Sequence, residues 1–445
     1  MNNRLHDVRR AQFPAWFLGL TLVAGAGSAV AADKPDWLTD ASATVRESYD
    51  DNLYLSGVKP QYLPPTYALP GGSVAALKNK SSSVTTVAPK LGVSFLPWLG
   101  TNFFSQCSLT YAPEFAIYQD AGSETHYDHR FLAKLKGQTE HWNFNFDESF
   151  LYVDGSQVAP TYPGNLVTAY NTAAPRERRD QTQDRASLTA QRNAETWFVR
   201  PGASLVYYDL HTLQFNSPGY QNYATRYDAH GGVDFGCKLA ADNALTLGTQ
   251  IGHQGQEKFS FGTYESSSDF VRLLGGAEGK LASWLTYKFQ AGPDFRYYDA
   301  AAAVSARHKL TYYDDGSFTA KLSSQDTLTL EGRQFQWVSS LGSVPYFDTT
   351  ASLTWHHRCT EALALDFGGK YLIADYRSAN LVSCRRVDTE YCLTTGLSYA
   401  MTRHLAFTLG AEIDFGRNAL NVISDPASTR DFHRVLVTAG TTWQF

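Results

Sequence analysis

The sequence predicts an all-β fold: a transmembrane antiparallel up-and-down β-barrel of about 18 strands, with 16 as the alternative count. Three observations carry this. Apolar and polar residues alternate at period two in segments of about ten residues. The connections between those segments alternate between short and long. The chain then ends on a strictly alternating segment, Val435 to Phe445, closed by an aromatic residue.

Alternation marks a strand whose two faces meet different surroundings. Leu405, Phe407, Leu409, Ala411, Ile413 and Phe415 share one face, and Thr408, Glu412 and Asp414 share the other. Leu363, Leu365, Phe367, Tyr371 and Ile373 oppose Asp366 and Lys370; Leu285, Tyr287, Phe289 and Phe295 oppose Lys288, Asp294 and Arg296. The polar faces carry more charge than the wetted outside of a soluble sandwich needs. The segment length also approaches the roughly 9–11 residues that cross a bilayer when tilted. The first segment, Ala43–Tyr54, is the weakest, because Glu47 and Asp51 fall on the face of Val45 and Tyr49. Leaving it outside the wall gives the 16-strand alternative.

Short turns are expected at Pro97–Gly100, Gly137–Glu140, Asn193–Glu195, Ala240–Asn243, Lys280–Ser283, Ser323–Asp326, Arg358–Glu361 and Met401–Arg403. Longer connections fall between them, the longest being Asp154–Gln183 with its charged run Arg176 to Asp180. That loop either turns inward to narrow a channel or stands in solvent, and its charges are expected to be solvated. Short periplasmic turns opposite long outer loops are the asymmetry of an outer-membrane barrel. Trp142, Trp197, Trp284 and Trp443 fall at the short-turn ends, and Tyr118, Tyr152, Tyr207, Tyr208, Tyr297 and Tyr298 at the long-loop ends, as two interfacial belts would require. Pro89, Pro113, Pro201 and Pro293 sit within strands, where a missing N–H is unfavourable; bulges there would accommodate them.

Aromatic residues make up 14% of the 445-residue chain and charged residues only 18%. Mean hydropathy is nonetheless −0.31, which excludes a polytopic helical membrane protein. The net charge of −5 gives no footprint for nucleic acid. Residues 1–31 read as a signal peptide, with Arg4, Arg9 and Arg10, an apolar run from Phe13 to Ala26, and Ala29-Val30-Ala31 for cleavage. Residues 32–40 then form a short periplasmic segment ahead of a barrel over 41–445. Cys107, Cys237, Cys359, Cys384 and Cys392 show no metal-binding or redox spacing. Cys384 and Cys392, if on one strand, lie about 26 Å apart at the extended rise, too far for a disulfide.

The segment Arg46-Glu47-Ser48-Tyr49-Asp50-Asp51-Asn52-Leu53-Tyr54-Leu55 resembles the opening strand of the β-barrel porin 2 family. The resemblance extends, as general pattern, over about residues 41–445. It implies a porin-like role and transfers no site residue. The terminal strand resembles the C-terminal signature of outer-membrane barrels, which implies that Phe445 helps the barrel assembly machinery recognise the chain.

A barrel of 16–18 strands is wide enough for water. The residues expected to line it are Lys90, Glu114, Arg130, Lys134, Lys136, Asp147, Arg200, Asp234, Glu278, Lys280, Lys288, Asp294, Arg296, Lys370, Glu412, Asp414 and Arg434. They serve either as a charged constriction that selects solutes or as ion pairs that stiffen the wall. No GxSxG motif is present, and His356 and His357, adjacent on a strand, point to opposite faces, so no catalytic site, metal or cofactor is expected. The reading is therefore passive diffusion of small hydrophilic solutes across the outer membrane. The alternative is a structural or secretion-associated barrel of an envelope or polysaccharide export system. The partners expected are outer-membrane lipid, the assembly machinery and the solutes themselves, with a homo-oligomer left open. A 22-strand plugged transporter is disfavoured, because residues 32–40 are too few for a plug.

Overall fold

The computed structural model describes residues 35–53, 55, 80–100, 102–155, 180–211, 225–240, 242–257, 267–299, 308–338, 345–376, 386–420 and 432–445. The expected signal peptide, residues 156–179 of the longest loop and Cys384 lie outside them. The strands are β1 (Leu38–Asp50), β2 (Ser82–Ser94), β3 (Phe104–Tyr111), β4 (Glu114–Tyr118), β5 (His126–Gln138), β6 (Trp142–Asp154), β7 (Gln181–Asn193), β8 (Trp197–Asp209), β9 (Arg226–Ala240) and β10 (Asn243–Gln256). The wall continues with β11 (Ser268–Ala282), β12 (Leu285–Tyr298), β13 (His308–Lys321), β14 (Asp326–Trp337), β15 (Tyr346–Arg358), β16 (Leu363–Tyr376), β17 (Arg386–Ala400), β18 (Leu405–Leu420) and β19 (Phe432–Gln444).

Each strand pairs antiparallel with its sequence neighbours, and β1 pairs with both β2 and β19, so the sheet closes on itself. Closure removes the free edges that hydrocarbon could not satisfy. β3 and β4 are two halves of one wall strand: both lie between β2 and β5, in one continuous register. The wall thus has 18 strands, and the 16-strand alternative does not hold. The weak first segment belongs to the wall. Its outward Glu47 is accommodated by a 2.8 Å hydrogen bond from Thr85 on β2.

Most strands run 12–16 residues, longer than the expected ten, because they continue beyond the hydrocarbon into the polar layers. The short turns fall where the pattern places them, the first containing one helical turn, Leu96–Leu99.

The prolines are accommodated without the expected bulges. Register shifts occur near Leu38, Phe104, Asn243 and Lys280, all at the short-turn side. At Pro201 and Pro293 the ladder lapses toward one neighbour, while Pro201 keeps Val233 and Pro293 keeps Tyr312 on the other side. Pro89 keeps Ala43 on β1, and the unbroken register toward β3 and β4 sets it opposite Pro113. Two residues without N–H groups share one rung, so the missing donors cost a single gap in the ladder.

One departure from a regular cylinder shapes the interior. β13 pairs with β14 only as far as Asp314 and Gln334. Beyond that rung β14 stays with β15, where Phe335, Gln336 and Trp337 face Asp348, Phe347 and Tyr346, and turns into the lumen. Its carbonyls are taken up by strands well round the wall: Gln254 of β10 donates to the Gln336 carbonyl at 3.0 Å, and Arg226 of β9 donates to that of Val338 at 3.0 Å. Gln336 also donates to the Tyr298 hydroxyl of β12. Val338 is fully buried.

Candidate functional site

Alternation sets the two faces of the wall. Outward residues of β9 and β10 include Val233, Phe235, Leu245, Leu247 and Ile251, all exposed; Leu247 keeps 69% of its surface. In water such a surface would mark an interaction patch. Here it runs around a closed sheet whose inner face carries the charges. Trp142 and Trp197 open strands at the short-turn side, Trp284 immediately precedes β12 and Trp443 lies near the end of β19. Tyr152 and Tyr297, 37% and 42% exposed, lie outward at the other end with Tyr49, Tyr127 and Tyr227, and Tyr207 shares the outward rung of Tyr227. The wall is apolar outside, charged inside and edgeless. It is an outer-membrane barrel. Three of the tyrosines expected in this belt face inward instead, because neighbouring strand residues alternate: Tyr298 is fully buried in the lumen, Tyr208 lines the interior cavity, and Tyr118 packs against Leu53 and Ala121.

Among the described residues, four arginine-centred or lysine-centred charge networks stand out on the inner face. On β8, Arg200 donates to Asp234 at 3.2 Å and bidentately to Glu278 at 3.0 and 2.9 Å, reaching over β9 and β10. Glycines make that reach feasible; a Cβ on Gly248 would collide with the Asp234 carboxylate. On β12, the fully buried Asp294 receives Arg296 at 2.8 Å and Arg272 of β11 at 3.3 Å, while Arg296 also holds Gln254 at 2.6 Å. At the closure seam, Arg434 of β19 binds Asp50 of β1 at 3.0 Å, with Glu412 at 2.9 Å and Asp414 at 3.0 Å on β18. Arg46 meets Glu114 at 2.5 Å, beside Lys90 with Asp40 at 2.5 Å.

Register places every charge that the alternation assigns to the polar face on this inner side. The networks bring together Glu114, Arg200, Asp234, Glu278, Asp294, Arg296, Glu412, Asp414 and Arg434. Lys280 pairs with Asp242 at 3.6 Å near a turn. Arg130, Lys134, Lys136, Lys288 and Lys370 form no ion pair among the described residues, and Asp147 accepts from Asn145. Cys392 groups with Glu412 and Asp414 within 4.8 Å, and both carboxylates also bind Arg434. His356 binds Asp366 and His357 binds Asp326, each at 2.8 Å, so the adjacent histidines serve separate neighbours.

Arg434→Met should leave the buried Asp50 and Asp414 carboxylates without a counter-charge. The expected outcome is a lower temperature for the shift in gel mobility that reports barrel unfolding, with Lys retaining part of the loss. An unchanged temperature would show that the seam does not depend on this network.

Sequence patterning missed several inner residues: Arg185, Arg226, Asp228, Arg272, Asp315, Arg333 and Asp348. All line one cavity of about 1350 Å³. It extends from Gln138 and Asn143 near the short turns to Trp337 and Tyr346 near the long loops. Parity would have placed Arg272 and Arg333 correctly. Arg226 sits at a strand end, where parity is hardest to read.

No known protein family matches the chain, and no curated protein matches it in sequence. Its fold is similar to solved outer-membrane proteins. OpdK of Pseudomonas aeruginosa is 10% identical, with 91% of this chain and 99% of that one covered at a TM-score of 0.40. OccAB2 of Acinetobacter baumannii is 10% identical, with 91% and 98% covered at 0.43. The siderophore receptor PirA of Pseudomonas aeruginosa is 8% identical, with 91% and 80% covered at 0.39.

Proposed function

We propose that the barrel is a passive channel for small hydrophilic solutes. The observation that supports this most is the polar cavity itself, which runs between the two ends of the wall and is lined mainly by charged, amide and hydroxyl side chains. Water-filled lumens of this kind conduct when no plug occupies them. Reconstituted in a planar bilayer, the protein is expected to give stepwise conductance. A folded barrel, shown by heat-modifiable gel mobility, that carries no current would contradict the reading. The inward end of β14 favours a second reading, a gated barrel of an envelope or polysaccharide export system. Co-purification with such partners and a silent isolated barrel would support it.

In this proposal residues 1–31 are a removed export signal and residues 32–40 lead into the wall, with β1 beginning at Leu38. Phe445 serves assembly. Its N–H donates to the Ala41 carbonyl at 2.9 Å and its ring stays 66% exposed beside Trp443, available to a partner. Deleting Phe445 removes one terminal hydrogen bond of the folded wall, so purified barrel should keep its stability. The yield of barrel in the outer membrane should fall severalfold, measured as heat-modifiable protein in membrane fractions. An undiminished yield would remove the assembly role.

A further inference from the structure

The cavity walls carry eight lysine and arginine side chains against four aspartates, although the whole chain is net negative. The internal partners do not cancel this excess. Arg200 binds Asp234 and Glu278, and Arg272 shares Asp294 with Arg296. Arg185, Arg226 and Arg333 form no ion pair among the described residues. Instead they rest on aromatic rings. The guanidinium carbons of Arg185 and Arg226 lie 5.5 and 5.1 Å from the centre of the Tyr208 ring, Arg226 also lies 5.2 Å from that of Trp337, and Arg333 lies 4.7 Å from that of Phe335. Arg185 donates to the Tyr208 hydroxyl. Arg226 spends Nη1 on Val338 and Tyr346, and its Nε has no partner although it is shielded from solvent.

A ring beneath a guanidinium orients it and lowers its exposure to water without neutralising it. The in-plane N–H groups not used in these contacts, chiefly those of Arg333 and the rest of Arg185, remain for a planar acceptor, which a carboxylate supplies bidentately. The rings beside them give an apolar or planar remainder of a solute something to stack on. Of the four lumen aspartates two are engaged elsewhere, Asp234 by Arg200, and Asp228 by His230 at 2.7 Å and by Gln254 at 2.6 Å. Asp315, near Arg333 and Lys288, and Asp348, near Arg333, Arg226 and Lys370, offset only part of the positive excess, since eight cations face four aspartates.

We propose that Arg185, Arg226 and Arg333, with Tyr208, Trp337 and Phe335, form an anion-binding constriction that selects small organic carboxylates. This rests on the channel reading. Bilayer recordings under a potassium chloride gradient test it, with benzoate, orthophosphate and benzylamine as probes. The reversal potential should report chloride passing more readily than potassium, and millimolar benzoate should block the current where benzylamine does not. Arg185→Gln and Arg333→Gln leave the contacts of β14 with β9 and β10 in place. Each should weaken benzoate block about tenfold, the loss of one charge-assisted contact, and move the reversal potential toward zero. A potassium-selective or unselective wild type, or block unchanged in both variants, overturns the proposal. Orthophosphate blocking as well as benzoate overturns the carboxylate class. A folded wild-type barrel without current overturns the channel reading instead.

Discussion

Single-channel conductance should rise markedly in the double variant Arg226→Ala, Gln254→Ala. These side chains donate to the Val338 and Gln336 carbonyls and tie the end of β14 across the lumen to β9 and β10. A hydrogen bond from a neutral group contributes about 1 kcal/mol net, and one from a charged group about 1.5–3 kcal/mol. Losing both removes a few kcal/mol from the inward state, enough to populate an alternative that was minor. The ladder between β13 and β14 already ends at Asp314 and Gln334, so the segment can move together with its β15 partner without breaking pairs to β13. Arg296 still reaches the Gln336 carbonyl at 3.3 Å, and Asp228 keeps His230, so the variant is expected to fold. Unchanged conductance would mean that burial of Trp337 and Val338, rather than these ties, holds the segment inside.

The largest stability effect is expected at Asp294. Its carboxylate is fully buried and is the shared counter-ion of Arg272 and Arg296, themselves only 2% exposed. Asp294→Ala leaves two guanidinium groups facing each other with no carboxylate in direct contact. The cost is about 3–5 kcal/mol, typical of one partner removed from a buried pair. Asp294→Asn should cost less, because an amide oxygen can still accept. Urea unfolding of the reconstituted barrel, followed by tryptophan fluorescence, measures both. A loss below about 1 kcal/mol for Ala would show that water enters the cluster and screens it.

The architecture was readable from the chain because a barrel writes two solvents into alternate residues. Leu405 to Phe415 against Glu412 and Asp414 needed only parity. Strand count and turn positions followed for the same reason. The first strand was ambiguous because Glu47 breaks the pattern, and its rescue by Thr85 depends on a partner 38 residues away. The prolines were expected to force bulges. Their accommodation depends on register, which places Pro89 opposite Pro113, and register is invisible within one strand.

The site was less legible. Parity placed Arg200, Asp234, Asp294 and Arg434 on the inner face, but it cannot say which strands meet across a lumen. That Arg200 would reach Glu278 over two strands depends on small residues such as Gly248 between them. That β14 would leave β13 and turn inward depends on Arg226 and Gln254, far away in sequence. The arginines that matter most to the anion proposal were overlooked for a related reason. Arg185, Arg226 and Arg333 lie among polar neighbours, and their distinguishing feature is the ring that each one rests on.

The most direct test of the account is a cysteine scan along β10 in a background with the native cysteines replaced. Single cysteines at Thr246 and Gln250 face the lumen, and those at Leu245, Leu247 and Ile251 face lipid. In lipid vesicles a membrane-impermeant, water-soluble thiol reagent should label the first two readily and the other three hardly at all. A lipid-soluble quencher carried in the bilayer should show the reverse order on a fluorophore at the same positions. Equal labelling along the strand, or a reagent reaching Leu247 before Gln250, would contradict a wall that is apolar without and wet within.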